Sequence, residues 1–286
     1  MKKYKLKSYC KINLSLRVLK RLDNGYHKIT SLMTFCDLYD VISIVKNNKM
    51  KDEVSFSGKF KEGIKKNSNT IIKTLNSLRS KKLLKKKYFK INIQKNIPHG
   101  SGLGGGSSNS AILLNFLKLF MNLKIKKKEM YKIANQIGSD VPVALQRKNT
   151  FLDGKKNKIS RINTKFGFNV IIVYPNISCS TKEIYKRNKN FTSLKYRFKH
   201  TAIKKKLVNI LKKENNDLEK TVIKINPKIG KLINFIKVQK GCYFSRISGS
   251  GSACIGIFSN KKRALYTKKL IKYKFPKYWT AVSKTI

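Results

Sequence analysis

The sequence predicts a mixed α+β protein in two parts. Three observations carry that expectation. Apolar residues alternate with period two in some stretches and recur at helical spacing in others; a glycine-rich loop lies between a strand pattern and a helix pattern; and residues 155–163 are polar and patternless near the middle of 286 residues. The patternless stretch sets a boundary near 158/159, giving parts 1–158 and 159–286, each of a size usual for one domain. With 41% apolar residues the chain can bury real cores, which excludes a disordered basic tail.

Ile12, Leu14, Leu16 and Val18 alternate with polar residues, as in a half-buried strand, and Asp23-Asn24-Gly25 breaks the run. A second strand is expected over 38–45, then a turn-rich, charged stretch to Gly63. The spacing of Ile71, Ile72, Leu75 and Leu78 predicts a helix capped by Asn67 or Ser68. Phe89, Ile91 and Ile93 alternate again, so 88–94 is expected as a strand that runs into the glycine loop. A helix through Ala111, Leu114, Leu117 and Phe120 or Met121 follows, with further helices near 126–137 and 140–146 and a turn at Asp153-Gly154. The second part opens with a strand at 170–174, and Ser180-Thr181-Lys182-Glu183 has the capping-box pattern of a helix start. Helices near 200–213 and 227–238, strands near 243–247 and 253–258, another helix and a terminal strand complete it, with no internal repeat.

The charge is extreme: 66 Lys plus Arg against 13 Asp plus Glu, a formal +53. It is mostly lysine, 57 Lys to 9 Arg, beside 32 Ile, 26 Asn and only 7 Ala. Lys, Asn and Ile have A/T-rich codons, so an AT-biased genome yields this composition without any polyanion partner. A nucleic-acid binder would gather its basic residues into a patch interleaved with stacking aromatics. Here they run from Lys2 to Lys284, and short runs such as 85–87, 126–128 and 204–206 read as solvated turns and helix ends. No specific nucleic-acid partner is expected, only weak, salt-sensitive adhesion. The five cysteines at 10, 36, 179, 242 and 254 form no CxxC pair, which reads as reduced thiols in the cytoplasm. No signal-peptide core and no apolar run near ~18 residues is present, so no membrane partner is expected. The oligomeric state is open, a homodimer included.

The most informative segment is Pro98-His99-Gly100-Ser101-Gly102-Leu103-Gly104-Gly105-Gly106-Ser107-Ser108-Asn109. Five glycines in seven residues serve unusual dihedrals or a close backbone approach, and an anion at a helix amino terminus needs both. Ser107 and Ser108 add hydroxyl donors or metal ligands. Gly100-x-Gly102-x-x-Gly105 formally satisfies the dinucleotide fingerprint, but no acidic residue follows a second strand about twenty positions on. A Walker A loop would end in Gly-Lys-Ser or Gly-Lys-Thr, and the protein-kinase elements are absent.

Pro-x-x-x-Gly-Leu-Gly-Gly-Gly-Ser-Ser-Asn at 98–109 instead resembles the ATP loop of the GHMP kinases. Lys11-Ile12-Asn13-Leu14 resembles that superfamily's amino-terminal Lys-apolar-Asn strand, and Ile247-Ser248-Gly249-Ser250-Gly251-Ser252-Ala253 its third, glycine-rich motif. Along almost the whole chain the pattern is similar to one branch, the 4-diphosphocytidyl-2-C-methyl-D-erythritol kinases. Asp23-Asn24-Gly25-Tyr26-His27, Gly138-Ser139-Asp140-Val141-Pro142 and Asn216-Asp217-Leu218-Glu219 carry that similarity.

The resemblance implies a two-domain GHMP kinase fold, with a first domain like domain two of a small-subunit ribosomal protein, a ferredoxin-like second domain, and the active site between them. It implies ATP-dependent phosphorylation of the 2-hydroxyl of 4-diphosphocytidyl-2-C-methyl-D-erythritol, in the non-mevalonate route to isoprenoid precursors. ATP is the co-substrate, and Mg2+ is expected on ligands the sequence does not identify. Pro98, His99, Gly100, Ser101, Gly102, Leu103, Gly104, Gly105, Gly106, Ser107 and Ser108 would cradle ATP. Lys11 and Asp140 would be catalytic, and Asn13, Tyr26, His27 and Tyr185 would bind substrate. By themselves these residues read otherwise: Asp140 as a helix cap, Lys11 as one surface lysine among 57, the tyrosines as core, His27 as a loop histidine. Within the superfamily, a homoserine or mevalonate kinase is the alternative; outside it, a nucleic-acid-binding protein. Tyr9-Cys10, Ser110 and Gly154-Lys155-Lys156-Asn157 depart from the family pattern.

Overall fold

The alternating residues near the amino terminus build two long paired strands, β1 (Tyr4–Arg21) and β2 (His27–Asn47), in a computed structural model that describes residues 2–65, 67–156, 158–196, 198, 201 and 203–286. Both strands are far longer than the alternation suggests. Residues 10–16 of β1 and 30–36 of β2 are buried on both faces, polar side chains included, so the period-two signal that marks a half-exposed strand is lost there. A turn closed by Leu22 N–H to the Tyr26 carbonyl, 2.7 Å, joins them, as Asp23-Asn24-Gly25 predicts.

The chain groups into two compact units that do not follow a single cut in sequence. One comprises residues 1–11, 38–99 and 104–147; the other comprises 12–37, 100–103 and 148–286.

In the first unit, residues 41–47 of β2 pair antiparallel with β4 (Tyr88–Gln94), and β3 (Glu53–Ser57) lies parallel to β4. β3 falls in the stretch expected to be turn-rich and charged, because five residues of mixed burial carry no clear alternation. Helices α1 (Thr70–Ser80), α2 (Gly105–Phe120), α3 (Lys127–Ile137) and the single turn α4 (Val141–Ala144) complete the unit. The cap of α1 is Asn69 rather than Asn67 or Ser68: its side chain accepts from the N–H groups of Ile71 and Ile72, both at 3.0 Å. The core joins Ile42, Ile44, Phe89, Ile91 and Ile93 of the sheet with Ile71, Leu75, Leu113, Leu114 and Leu117 of the helices, all essentially fully buried.

In the second unit, residues 31–33 of β2 pair with β5 (Asn149–Asp153), which pairs with β6 (Lys158–Ile162). β6 occupies part of the stretch expected to be patternless; Asn157 lies outside the described residues. A four-stranded antiparallel sheet runs in the order β10 (Trp279–Lys284), β7 (Asn169–Tyr174), β9 (Cys254–Phe258), β8 (Cys242–Ile247). Its helices are α5 (Thr181–Arg187), α6 (Lys204–Lys213), α7 (Glu219–Ile225), α8 (Pro227–Lys237) and α9 (Lys261–Lys274). The helix expected near 200–213 is seen from Lys204, His200 and Ala202 lying outside the described residues, and the two-turn α7 was not expected. Ile171, Val173, Val222, Ile229, Leu232, Ile236, Phe258 and Ile271 form its core. Among the described residues no helix is long and apolar enough to cross a membrane.

Candidate active site

The glycine loop leads from β4 into the first turn of α2. Gly104 is the N-cap, in the left-handed region at φ +66°, where a side chain is disfavoured. A Cβ there would also lie 3.1 Å from Lys11 Cε, so the loop backbone rests on the lysine stem. No side chain caps α2 and its first turn has no acidic residue. The N–H groups of Gly105, Gly106 and Ser107 therefore have no acceptor within the helix and stand at the positive end of its dipole. Ser108 is 3% exposed, and its Oγ has no hydrogen-bond partner among the described residues. His99 bonds the Glu62 carbonyl through Nε2, 2.7 Å, while Pro98 is buried.

Residues 100–103 of the loop are seated on the third glycine-rich motif. Ser248 Oγ donates to the Gly102 carbonyl at 2.9 Å, and Ala253 N–H donates to the Ser101 carbonyl at 3.0 Å. A Cβ on Gly102 would collide with the Ser248 carbonyl oxygen at 2.0 Å, which excludes any other residue at that position. The Asn216-Asp217-Leu218-Glu219 segment supports the third motif. Asn216 Nδ2 donates to the Ile247 and Gly249 carbonyls, and a Glu219 carboxylate oxygen accepts from Ile247 N–H at 2.9 Å. Burial raises the Glu219 pKa, opposed by that N–H and by Arg246.

Lys11, on β1, is 5% exposed and its Nζ lies 2.8 Å from Asp140 Oδ2. Asp140 occupies the N-cap position of α4, yet its side chain makes no capping bond; the following turn carries Pro142, which has no N–H to cap. Its side chain is 38% exposed against 6% for that of Lys11. The carboxylate is thus open to a solute while its cationic partner is covered. Asn13 is 3% exposed: its N–H donates to Ser248 Oγ at 3.2 Å and its Nδ2 to Ser31 Oγ at 2.8 Å.

The His27 ring lies 5.0 Å from that of Tyr185 and 6.5 Å from that of Phe191, the latter nearly parallel at 17°. Ser180, capping α5 through Glu183 N–H, sets Tyr185 one turn into that helix. Desolvation, and then Arg21, lower the His27 pKa, which keeps the ring neutral at pH 7 with one nitrogen donating and one accepting. Tyr26 is not brought onto that ring; its side chain stands 67% exposed on the turn. Phe191 lies in no periodic segment, so no sequence pattern marks it. Its neighbour Thr192 anchors it, with N–H to the Val18 carbonyl at 2.8 Å and Oγ1 to Asp217 Oδ2 at 2.6 Å.

The departures have local reasons. Ser110 Oγ donates to the carbonyls of Thr70 and Gly106, linking the first turns of α1 and α2. Cys10 is fully buried and the Tyr9 ring packs on Tyr39 at 5.3 Å. Lys155 Nζ donates to the Tyr196 carbonyl at 2.7 Å. Among the described residues no three His, Cys, Asp or Glu gather as a metal site.

Two family models match the chain: the GHMP kinases N terminal domain over residues 69–148 and the GHMP kinases C terminal over 200–266. A 4-diphosphocytidyl-2-C-methyl-D-erythritol kinase of Pelagibacter ubique is 38% identical, covering 100% of both chains. One of Caldanaerobacter subterraneus subsp. tengcongensis is 33% identical over 99% of this chain and 97% of its own. Among solved structures, a 4-(cytidine 5'-diphospho)-2C-methyl-D-erythritol kinase superposes with a TM-score of 0.75 at 21% identity, covering 98% of this chain and 99% of its own. Homoserine kinase from Cytophaga hutchinsonii gives 0.76 at 15% identity, covering 100% and 95%. Backbone likeness alone therefore does not separate these substrates.

Proposed function

The chain belongs to the GHMP kinase family, and from that premise we propose that it phosphorylates the 2-hydroxyl of 4-diphosphocytidyl-2-C-methyl-D-erythritol. As a member of that family it is a small-molecule kinase with ATP as co-substrate. The observation that carries the reading is the covered Lys11 ammonium, 2.8 Å from the open Asp140 carboxylate, with its stem against Gly104 of the phosphate loop. Asp140 accepts the proton of the substrate hydroxyl as its oxygen bonds to the γ-phosphorus and the bond to the β–γ bridging oxygen breaks, releasing ADP. Lys11 orients Asp140 and stabilises charge on the transferring oxygens. Residues 98–108 cradle the phosphates, chiefly through the N–H groups of Gly105, Gly106 and Ser107.

Mg2+ is proposed with ATP. Ser108 Oγ, buried and without a hydrogen-bond partner among the described residues, would be a fitting protein ligand. When bound, the ion neutralises phosphate charge. His27, neutral, supplies a donor and an acceptor to the cytosine edge; Tyr185 gives it an aromatic face, and Tyr26 and Asn13 contact the substrate. The proposed end of the ATP-binding part near 158/159 falls inside the interval 149–199 between the two family matches, whereas the compact units divide at 147/148. A cytoplasmic location agrees with the free cysteines.

The full-length relatives favour this substrate over the small alcohols of the equally similar folds. The test is coupled ADP release with the cytidyl alcohol, homoserine and mevalonate in turn. Turnover confined to the first is expected; turnover of either small alcohol without it overturns the assignment.

A further inference from the structure

Asp40, on β2, is 0% exposed and takes no part in the chemistry above. Its carboxylate holds four donors. Oδ1 accepts the N–H groups of Asn96 and Ile97, at 2.7 and 2.9 Å. Oδ2 accepts Asn109 Nδ2 at 3.0 Å and pairs with Lys95 Nζ, itself 2% exposed. The four saturate an ionised carboxylate. Their places in the chain are informative: residues 95–97 enter the glycine loop just before Pro98, and Asn109 leaves it just after Ser108. Asn109 keeps its donor on Asp40 although its own Oδ1 then has no partner among the described residues. Gly105 lies against the same group, since a Cβ there would be 3.3 Å from Lys95 Nζ and 3.1 Å from Ile97 Cγ2.

We propose that Asp40 is a positioning residue for the ATP loop: one buried carboxylate ties the segment entering the loop to the helix leaving it, and so fixes the spacing of the phosphate-facing N–H groups. Lys95 balances its charge and Asn109 is the tie on the helix side. The inference rests on the reading of residues 98–108 as the ATP cradle.

The test is ATP affinity separated from turnover. Asn109→Ala removes only the helix-side tie, leaving the ion pair and both backbone bonds. A hydrogen bond to a charged group is worth about tenfold or more in stability, which bounds the effect, so KM for ATP and the calorimetric ATP dissociation constant rise severalfold and at most about tenfold, while KM for the alcohol stays level and kcat moves less than about threefold. Asp40→Asn turns an amide donor toward Lys95 and Asn109 and raises KM for ATP further. A purely structural role would lower thermal stability and the active fraction but leave KM for ATP unchanged. A folded Asn109→Ala with unaltered ATP affinity overturns the proposal, even if Asp40→Asn does not fold. Gly104→Ala tests the underlying reading separately, because it strains the loop and pushes on Lys11 without touching the tie. If it leaves ATP affinity intact, the cradle assignment falls and the tie with it; if it weakens ATP while Asn109→Ala does not, only the tie falls.

Discussion

Replacing Asp140 with asparagine removes a proton acceptor and changes almost nothing else. The side chain makes no capping bond, so the start of α4 keeps its geometry, and the amide still offers an oxygen to Lys11 Nζ 2.8 Å away. Removing one partner of a fully buried ion pair costs about 3–5 kcal/mol; with the carboxylate 38% exposed and screened, roughly 1–2 kcal/mol is the appropriate scale. The enzyme should therefore stay folded and bind ATP. Turnover is different. General-base catalysis contributes about 10²- to 10⁴-fold, and at about 1.36 kcal/mol per tenfold this adds roughly 2.7–5.4 kcal/mol to the barrier. Rapid-quench single turnovers measure the transfer step and calorimetry checks ATP binding. A folded Asp140→Asn protein whose transfer rate stays within about tenfold of the parent would refute the general-base assignment.

Lys11→Met keeps an apolar stem against Gly104 but loses the charge; kcat is expected to fall about 10²- to 10³-fold in steady-state assays with protein that still melts cooperatively. Tyr185→Ala and Phe191→Ala should each raise KM for the cytidyl alcohol about two- to tenfold and leave KM for ATP level, since an aromatic pair is worth about 0.5–1.5 kcal/mol. His27 titrates below the ordinary 6.5, because burial and Arg21 depress its pKa, so the unfolded chain takes the proton first. Its stability contribution is present above 6.5 and lost as pH falls through the lowered value; KM for the cytidyl alcohol should rise over the same acid range, and His27→Gln should flatten that rise. Filter binding to RNA should vanish by ~0.2 M salt if the lysines are dispersed surface charge, and retention there would favour a dedicated polyanion partner.

The sequence was most readable where one face of an element meets solvent. β4 and the α5 cap follow directly from alternation and from Ser180. Legibility fails where both faces are covered. Lys11, Asn13 and Ser15 occupy the polar phase of an alternating strand and would be expected outside, yet they are 5%, 3% and 2% exposed because β1 is buried on both sides there. The same double burial hid residues 30–36 of β2, where Ser31 and Thr34 interrupt any apolar pattern. The glycine loop could be read for its backbone demands, and the contacts at Gly102 and Gly104 give those demands a physical source. Asp40 could not be read, because a single acid in a strand gives no sign of the four donors that the chain folds around it. Phe191 lies in a segment positioned by Thr192 and Asp217 rather than by periodicity.

The proposed reaction is a phosphoryl transfer to one hydroxyl of one cytidyl diphosphate alcohol. The most direct measurement is phosphorus and carbon NMR of the product formed from ATP and 4-diphosphocytidyl-2-C-methyl-D-erythritol. A new phosphate monoester coupled to carbon 2, in equal amount to the ADP released and formed about 10²- to 10⁴-fold more slowly with Asp140→Asn, is the predicted result. ADP released without that monoester, or a monoester on a different carbon, would contradict it.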